Sequence, residues 1–246
     1  MDVRGKTVLV TGGCTGIGRS CALKLAALGA NVAVNYSRSA EEARQVVAEI
    51  EAIGRKAIAV KADIAVDVEI RAMVARILAE FGGIDVLINN AGRTHYIDIA
   101  DLEGVGEQQW DEIFDTNVKG TFFVTRSCAA ALKKANGCVV NVASIAGYIG
   151  RGSSIPYAVS KAAIINLTKN LARALAPKVR VNAVAPGIVN TRWVSGKEEH
   201  VKRQSEGTPL GRVAEADDVA EAILGLVLHG DFVTGQTLVV DGGFYM

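Results

Sequence analysis

TVLVTGGCTGIG, residues 7–18, carries the apolar run Thr7-Val8-Leu9-Val10 straight into a turn holding Gly12, Gly13, Gly16 and Gly18. A helical pattern follows and closes near Gly29. Glycines permit a tight turn and close backbone approach, and a helix starting there presents free N–H groups and the positive end of its dipole. A purely structural turn is the alternative. The order strand, turn, helix favours the other reading, in which Gly12, Thr15, Gly16, Ile17 and Gly18 cradle a pyrophosphate.

Outward from this turn, strand-length apolar runs recur at 7–11, 31–36, 56–61, 85–89, 138–143, 179–185 and 237–240. Helical patterns separate them at 17–28, 40–53, 67–81, 107–134, 156–176 and 215–228. Such alternation predicts an α/β fold, a parallel sheet of about seven strands covered by helices on both faces. No composition break, proline-rich linker or repeat divides the chain, so one domain over residues 1–246 is expected. The irregular stretches 93–106, 147–155 and 188–209 all follow strand ends, where open α/β sheets bind their ligands.

Half of the residues are hydrophobic, enough for a large core, and few are aromatic. The net charge of +1, with no basic run beyond Lys133-Lys134 and Lys202-Arg203, argues against nucleic acid or an anionic membrane as main partner. MDVRGKTVLV shows no cleavable signal pattern, and no apolar segment reaches the length of a membrane span, so a soluble, cytoplasmic protein is expected. Cys14, Cys21, Cys128 and Cys138 form no CxxC pair and read as small buried hydrophobes kept reduced. His95, His200 and His229 lack metal-ligand spacing, so no metal site is expected.

The glycine spacing is Gly-x3-Gly-x-Gly rather than GxGxxG. TGGCTGIG resembles the TGxxxGxG turn of the short-chain dehydrogenases/reductases, and the resemblance continues in order along the chain. It takes in Asp63, Asn89-Asn90-Ala91-Gly92, Asn117, Ser144, Tyr157-x3-Lys161 and Pro186-Gly187. It implies a doubly wound Rossmann-type domain that transfers a hydride between a nicotinamide cofactor and a carbonyl or secondary alcohol. By the same resemblance Asp63 and Ile64 border the adenine, and Asn90, Ala91 and Gly92 the adjoining ribose. Tyr157 and Lys161 hold the nicotinamide ribose, while Pro186, Gly187, Val189 and Thr191 meet the nicotinamide end.

Past the second strand, where an acidic side chain would hold the ribose hydroxyl of NAD, this chain has Ser37-Arg38 and no carboxylate until Glu41. A guanidinium and a hydroxyl suit a 2′-phosphate, so NADP (as NADPH) is expected, with NAD as the alternative. Thr15 departs from related NADP-preferring proteins, which often carry a basic residue at that point of the turn.

Tyr157 and Lys161 lie four apart behind Pro156, which puts a phenol and an ammonium on one face of a helix's first turns. A free tyrosine, with a pKa near about 10, exchanges its proton slowly at neutral pH. The lysine and an oxidised nicotinamide ring together would favour the phenolate. Ser144, at the end of the fifth strand, would fix a carbonyl oxygen near the phenol. Asn117, a poor helix former inside a helical pattern, completes a tetrad by resemblance through a water-linked proton path.

Within the family the chain is most similar to 3-oxoacyl carrier-protein reductases, in length, in NYSRSAEEA and in the ending VTGQTLVVDGG. A carrier protein would meet Lys133, Lys134 and Arg151, but Ala135-Asn136 and Ala176-Pro177-Lys178 leave the usual arginine positions unmatched. A sugar, polyol or other small ketone is the alternative substrate, and a catalytically inactive nucleotide-binding sensor the alternative of another class. An epimerase or dehydratase of nucleotide sugars would have a longer C-terminal portion and another glycine spacing. The polar stretch 192–209 reads as a mobile lid or a surface loop without structure. Apolar faces over 107–134 and 156–176, together with the resemblance, predict a homotetramer.

Overall fold

Strands and helices alternate from the start of the computed structural model, which describes residues 1–246. β1 (Thr7–Thr11), α1 (Gly16–Ala27), β2 (Asn31–Tyr36), α2 (Ala40–Ala52), β3 (Ala57–Lys61) and α3 (Asp67–Phe81) come first. β4 (Val86–Asn89), α4 (Glu107–Phe114), a π-helical segment (Asp115–Gly120) and α5 (Thr121–Ala135) follow. Next come β5 (Cys138–Val142), the one-turn α6 (Ala146–Ile149), α7 (Ile155–Leu175) and β6 (Arg180–Pro186). The chain closes through β7 (Val189–Asn190), a 3₁₀ turn (Arg192–Val194), α8 (Glu198–Glu206), β8 (Ala214–Glu215), α9 (Ala216–Leu228) and β9 (Thr237–Val240).

Seven of these strands pair in parallel in the order β3-β2-β1-β4-β5-β6-β9. This is the expected doubly wound sheet, and its strand order reverses between β1 and β4. The sheet is buried on both faces because its strands are continuous runs of Val, Ile, Leu and Ala. Successive side chains point to opposite sides. Val8 and Val10 accordingly join the apolar cluster with Leu25, Ile50 and Ile223, while Leu9 joins Ile70, Met73, Ile77 and Leu132 on the other face. All four cysteines lie buried. No helix is long and apolar enough to cross a membrane.

Registers bring Thr11 level with Asn89, and Asn89 level with Asn141. The glycine turn, the segment after Asn89 and the segment holding Ser144 therefore emerge at one edge of the sheet, beside the reversal in strand order. Two expectations need correction. The pattern over 107–134 is not one α-helix, because residues 115–120 form a π-helical turn. A Cβ at Gly120 would lie 2.7 Å from the Ile64 carbonyl oxygen, so this residue lets the widened turn close on the loop after β3. Six residues are too few to disturb an apolar repeat, which is why the sequence conceals the widening. The stretch 188–209 is not wholly irregular either. It contains α8, whose EEHVKRQSE sequence has good helix formers but no apolar stripe, with Glu198 and Glu199 at its N-terminus and Arg203 near its C-terminus.

Candidate active site

Gly12 and Gly16 take left-handed φ values of 59° and 51°, which side chains resist. Gly12 N–H donates to Asn35 Oδ1 at 3.3 Å, and Gly13 N–H to the Asn35 carbonyl at 3.1 Å, tying the turn to β2. Asn90 Nδ2 donates to the Thr11 and Gly12 carbonyls, each at 3.0 Å. Thr11 Oγ1 in turn accepts from the N–H groups of Asn90 and Ala91. Thr15 caps α1 with no side-chain bond, and the helix has no acid in its first turn. Its N–H groups and dipole are thus free for an anion, and the residues present fit the pyrophosphate expected there.

Gly18 is the tightest point, since a Cβ there would lie 2.4 Å from the Gly12 carbonyl oxygen and 2.5 Å from Asn90 Nδ2. Gly18→Ala should displace the turn, lowering stability by about 2 kcal/mol and NADPH affinity by about 30-fold or more. Thermal melts and a fluorescence titration measure both. Unchanged affinity would mean that the turn is not the cradle.

At the far end of the crevice Ser37 and Arg38 are exposed. The carboxylate expected to lie closest in sequence, Glu41, is held by Arg44. Asp63 lies at the crevice edge but turns inward on its own loop, where Oδ1 accepts from Ala65 N–H at 2.9 Å; Ile64 beside it is buried. Val66, not Asp63, is the cap residue of α3.

The residues expected to form the reactive set converge from four parts of the fold. Ser154 caps α7, accepting from Tyr157 N–H, and Pro156 in the first turn needs no donor there. Lys161 Nζ sits 5.6 Å from the centre of the Tyr157 ring and donates to the Val142 carbonyl at 2.8 Å. Ser144 Oγ donates toward the Pro186 carbonyl at 3.4 Å, accepts from Ala146 N–H at 3.2 Å, and lies close enough to the Tyr157 phenol to favour its ionised form. Gly92 faces this group: a Cβ there would be 3.4 Å from Asn117 Oδ1 and 3.8 Å from Lys161 Nζ.

Asn117 lies in the π-helical turn, the kind of widening that recurs at functional sites. Its Oδ1 accepts from Arg93 N–H at 2.8 Å, and its Nδ2 donates to the Arg93 carbonyl and to Ser160 Oγ, each at 3.0 Å. Ser160 Oγ donates to the Tyr157 carbonyl at 2.7 Å. A side-chain relay therefore links Asn117 to the turn of helix that carries both Tyr157 and Lys161.

Burial governs the charges here. It pushes the Tyr157 phenol up to about 12, against the neighbouring Ser144 hydroxyl that pulls it down, and pushes the Lys161 ammonium down to about 8. The lowered phenol pKa expected of lysine and oxidised ring together is not a property of the protein alone. Desolvation outweighs a lysine whose own charge is disfavoured.

The remaining residues approach from the other side. Gly187 N–H donates to the Val240 carbonyl, and Val189 pairs with Ala214. Thr191 Cγ2 lies 3.2 Å from where a Gly16 Cβ would be. Trp193 follows, edge-on to Tyr157 with ring centres 6.2 Å apart, and its carbonyl accepts from the Tyr96 hydroxyl at 2.7 Å. The stretch after β7 is thus folded over the reactive group. Sequence reading missed Ser160, Asn35, Trp193 and the Arg93 backbone. A serine inside a helix beside Lys161 and a tryptophan in a polar stretch were the available signals. The contacts of Asn35 and Arg93 have no counterpart in sequence spacing.

Comparison with known proteins extends this geometry to the whole chain. The sequence pattern of a family described as enoyl-(acyl carrier protein) reductase matches residues 12–245. A 3-oxoacyl-[acyl-carrier-protein] reductase of Staphylococcus aureus is 40% identical over 245 residues, covering 98% of each chain. A short-chain dehydrogenase from Burkholderia cenocepacia, solved in complex with NADP, superposes with a TM-score of 0.93 at 37% identity over 100% of both chains. A short-chain dehydrogenase/reductase of Brucella melitensis, described as a glucose/ribitol dehydrogenase, gives 0.92 at 32% identity, covering 100% of this chain and 98% of its own. With the TGxxxGxG turn, the seven-stranded parallel sheet and relatives matched end to end, the chain belongs to the short-chain dehydrogenases/reductases, NAD(P)-dependent oxidoreductases acting on CH–OH groups.

Proposed function

We propose that the protein is an NADP-dependent reductase of 3-oxoacyl groups, presented on a carrier protein or as other thioesters, with Ser144, Tyr157, Lys161 and Asn117 as its reactive set. The observation that carries this reading is the Tyr157 phenol beside Ser144, with the Lys161 ammonium 5.6 Å from its ring and facing Gly92. The end-to-end match to a 3-oxoacyl carrier-protein reductase supports the substrate class.

In this reading Gly12, Thr15, Gly16, Ile17 and Gly18 hold the pyrophosphate, and Ser37 and Arg38 the 2′-phosphate. Asp63 and Ile64 border the adenine, Asn90, Ala91 and Gly92 its ribose, and Tyr157 and Lys161 the nicotinamide ribose. Pro186, Gly187, Val189 and Thr191 line the nicotinamide end. When bound, NADPH supplies a hydride for a carbonyl carbon. Ser144 and Tyr157 orient the carbonyl oxygen, and Tyr157 Oη gives it a proton. A phenol pushed up to about 12 bears that proton at neutral pH, as a reductase requires. Lys161 steadies the phenolate left behind, and the relay through Ser160 and Asn117 fixes the helix turn that holds both groups.

A second reading, reduction of sugar or other small ketones, is favoured by Ala135-Asn136 and Ala176-Pro177-Lys178, which leave the usual carrier-protein arginine positions unmatched. An NADPH-oxidation screen with acetoacetyl thioester, diketones and keto sugars, run beside the reverse reaction with alcohols, separates the two. The thioester should lead the keto sugars by at least about tenfold in kcat/KM, and a lead for the sugars would replace the first reading with the second. Exposed Trp110 and Phe122 on α4 and α5, and Phe232 and Leu238 near the C-terminus, support a homotetramer. A monomer in light scattering at micromolar concentration would remove that assembly.

A further inference from the structure

Arg192 leaves the segment folded over Tyr157 and reaches the opposite end of the crevice. Its Nη1 donates to Ser39 Oγ at 3.1 Å across 153 residues of sequence. Thr191, just before it, rests on Gly16, so the chain crosses the glycine turn at this point. Cys14 inside that turn senses the same guanidinium: burial pushes its thiol up, and Arg192 is the strongest influence in the other direction. The guanidinium therefore hangs between the glycine turn and Ser39, the residue that follows Ser37-Arg38 after β2.

Its surroundings suit an anion. Eight arginines are ion-paired, but Arg38 and Arg192 are not among them. Glu41 is engaged by Arg44, and Glu42 acts on Cys14 more weakly than Arg192 does. Arg192 reaches Ser39 directly, and the preceding Ser37 and Arg38 are exposed, so two guanidinium groups outside the ion pairs belong to this part of the chain, near the turn in which Thr15 offers no charge. Guanidinium forks bind phosphate oxygens in pairs.

We propose that Arg192, carried on the segment that covers the reactive group, is a ligand of the cofactor's 2′-phosphate, so that this phosphate helps hold the cover closed. Trp193, the next residue, lies edge-on to Tyr157, so the phosphate contact and the order of the reactive group are mechanically joined. The inference rests on the NADP reading given above, and it adds a specificity residue that lies remote in sequence from the β2 end.

The test is calorimetric titration of the full chain with 2′,5′-ADP, 5′-ADP, NADPH and NADH, for wild type, Arg192→Ala and Arg192→Lys. Arg192→Ala should lose about 10- to 100-fold in affinity for 2′,5′-ADP and NADPH while changing by less than about threefold for 5′-ADP and NADH. Arg192→Lys should recover part of the loss. Arg192 is exposed, so the fold should tolerate both changes, and a thermal melt checks this. An equal loss for all four ligands, or no loss for any, overturns the assignment. A wild type that does not prefer 2′,5′-ADP to 5′-ADP overturns the NADP reading itself. A wild type with that preference, kept intact by Arg192→Ala, overturns only the role of Arg192.

Discussion

Tyr157→Phe is expected to lower kcat for carbonyl reduction by about 10³-fold while leaving NADPH affinity within about threefold. The substitution removes one oxygen and keeps the ring that packs edge-on against Trp193. No other hydroxyl is positioned to replace it, because Ser144 donates toward the Pro186 carbonyl and accepts from Ala146 N–H. Ser144 has these partners without the phenol, so the variant should melt within a few degrees of wild type. The phenol is pushed up to about 12, so the wild-type group holds its proton throughout the neutral range. Loss of rate with retained cofactor binding would identify Tyr157 as the proton donor. Single-turnover rates close to wild type would assign the proton elsewhere.

Lys161→Met should separate stability from activity in opposite directions. Lys161 is 5% exposed, its only hydrogen bond is to the Val142 carbonyl, and no carboxylate balances its charge. Burial lowers its pKa from 10.5 to about 8, which corresponds to a penalty of about 3 kcal/mol for holding the proton in the folded state. Between about pH 8 and about pH 10.5 the unfolded chain binds the proton that the folded chain has released, so this group makes stability rise with pH across that window. Below about 8 the full penalty applies. Methionine fills similar space without charge, and the unmade bond to Val142 costs about 1 kcal/mol. The variant should therefore be more stable at pH 7 by about 2 kcal/mol, with an advantage that shrinks as pH rises through that window. Its reductase activity should fall by at least about 10²-fold, and the alkaline limb that Lys161 imposes on kcat/KM near pH 8 should disappear. Denaturant melts at pH 7 and pH 10 measure the first effect. A variant destabilised at pH 7 would show that the ammonium is better solvated than its surroundings imply.

Much of this site is legible in the chain because its parts are local. The helical spacing of Tyr157 and Lys161, Pro156 in the first turn and the strand-to-glycine turn all depend on a few neighbouring residues. They appear in the fold as read, as do the seven strands to within a residue or so at their ends. The π-helical turn at Asn117 was readable only as a misfit, an asparagine where a helix does not favour one. What occupies that asparagine lies 24 residues away, the Arg93 backbone, which both gives and takes a hydrogen bond. α8 escaped notice because its surface lacks the apolar stripe that signals a buried face.

TVLVTGGCTGIG and the apolar alternation that follows it determine that this chain builds a parallel, doubly wound sheet with a glycine turn and an open helix N-terminus after its first strand. Backbone conformation and the phase of buried side chains are written into short stretches. The tertiary structure alone decides three other things: how deeply the phenol and ammonium are desolvated, which carbonyl holds Lys161, and that Arg192 meets Ser39 across the cleft. Solvation and long-range contact depend on everything packed around a group, and no local spacing encodes them.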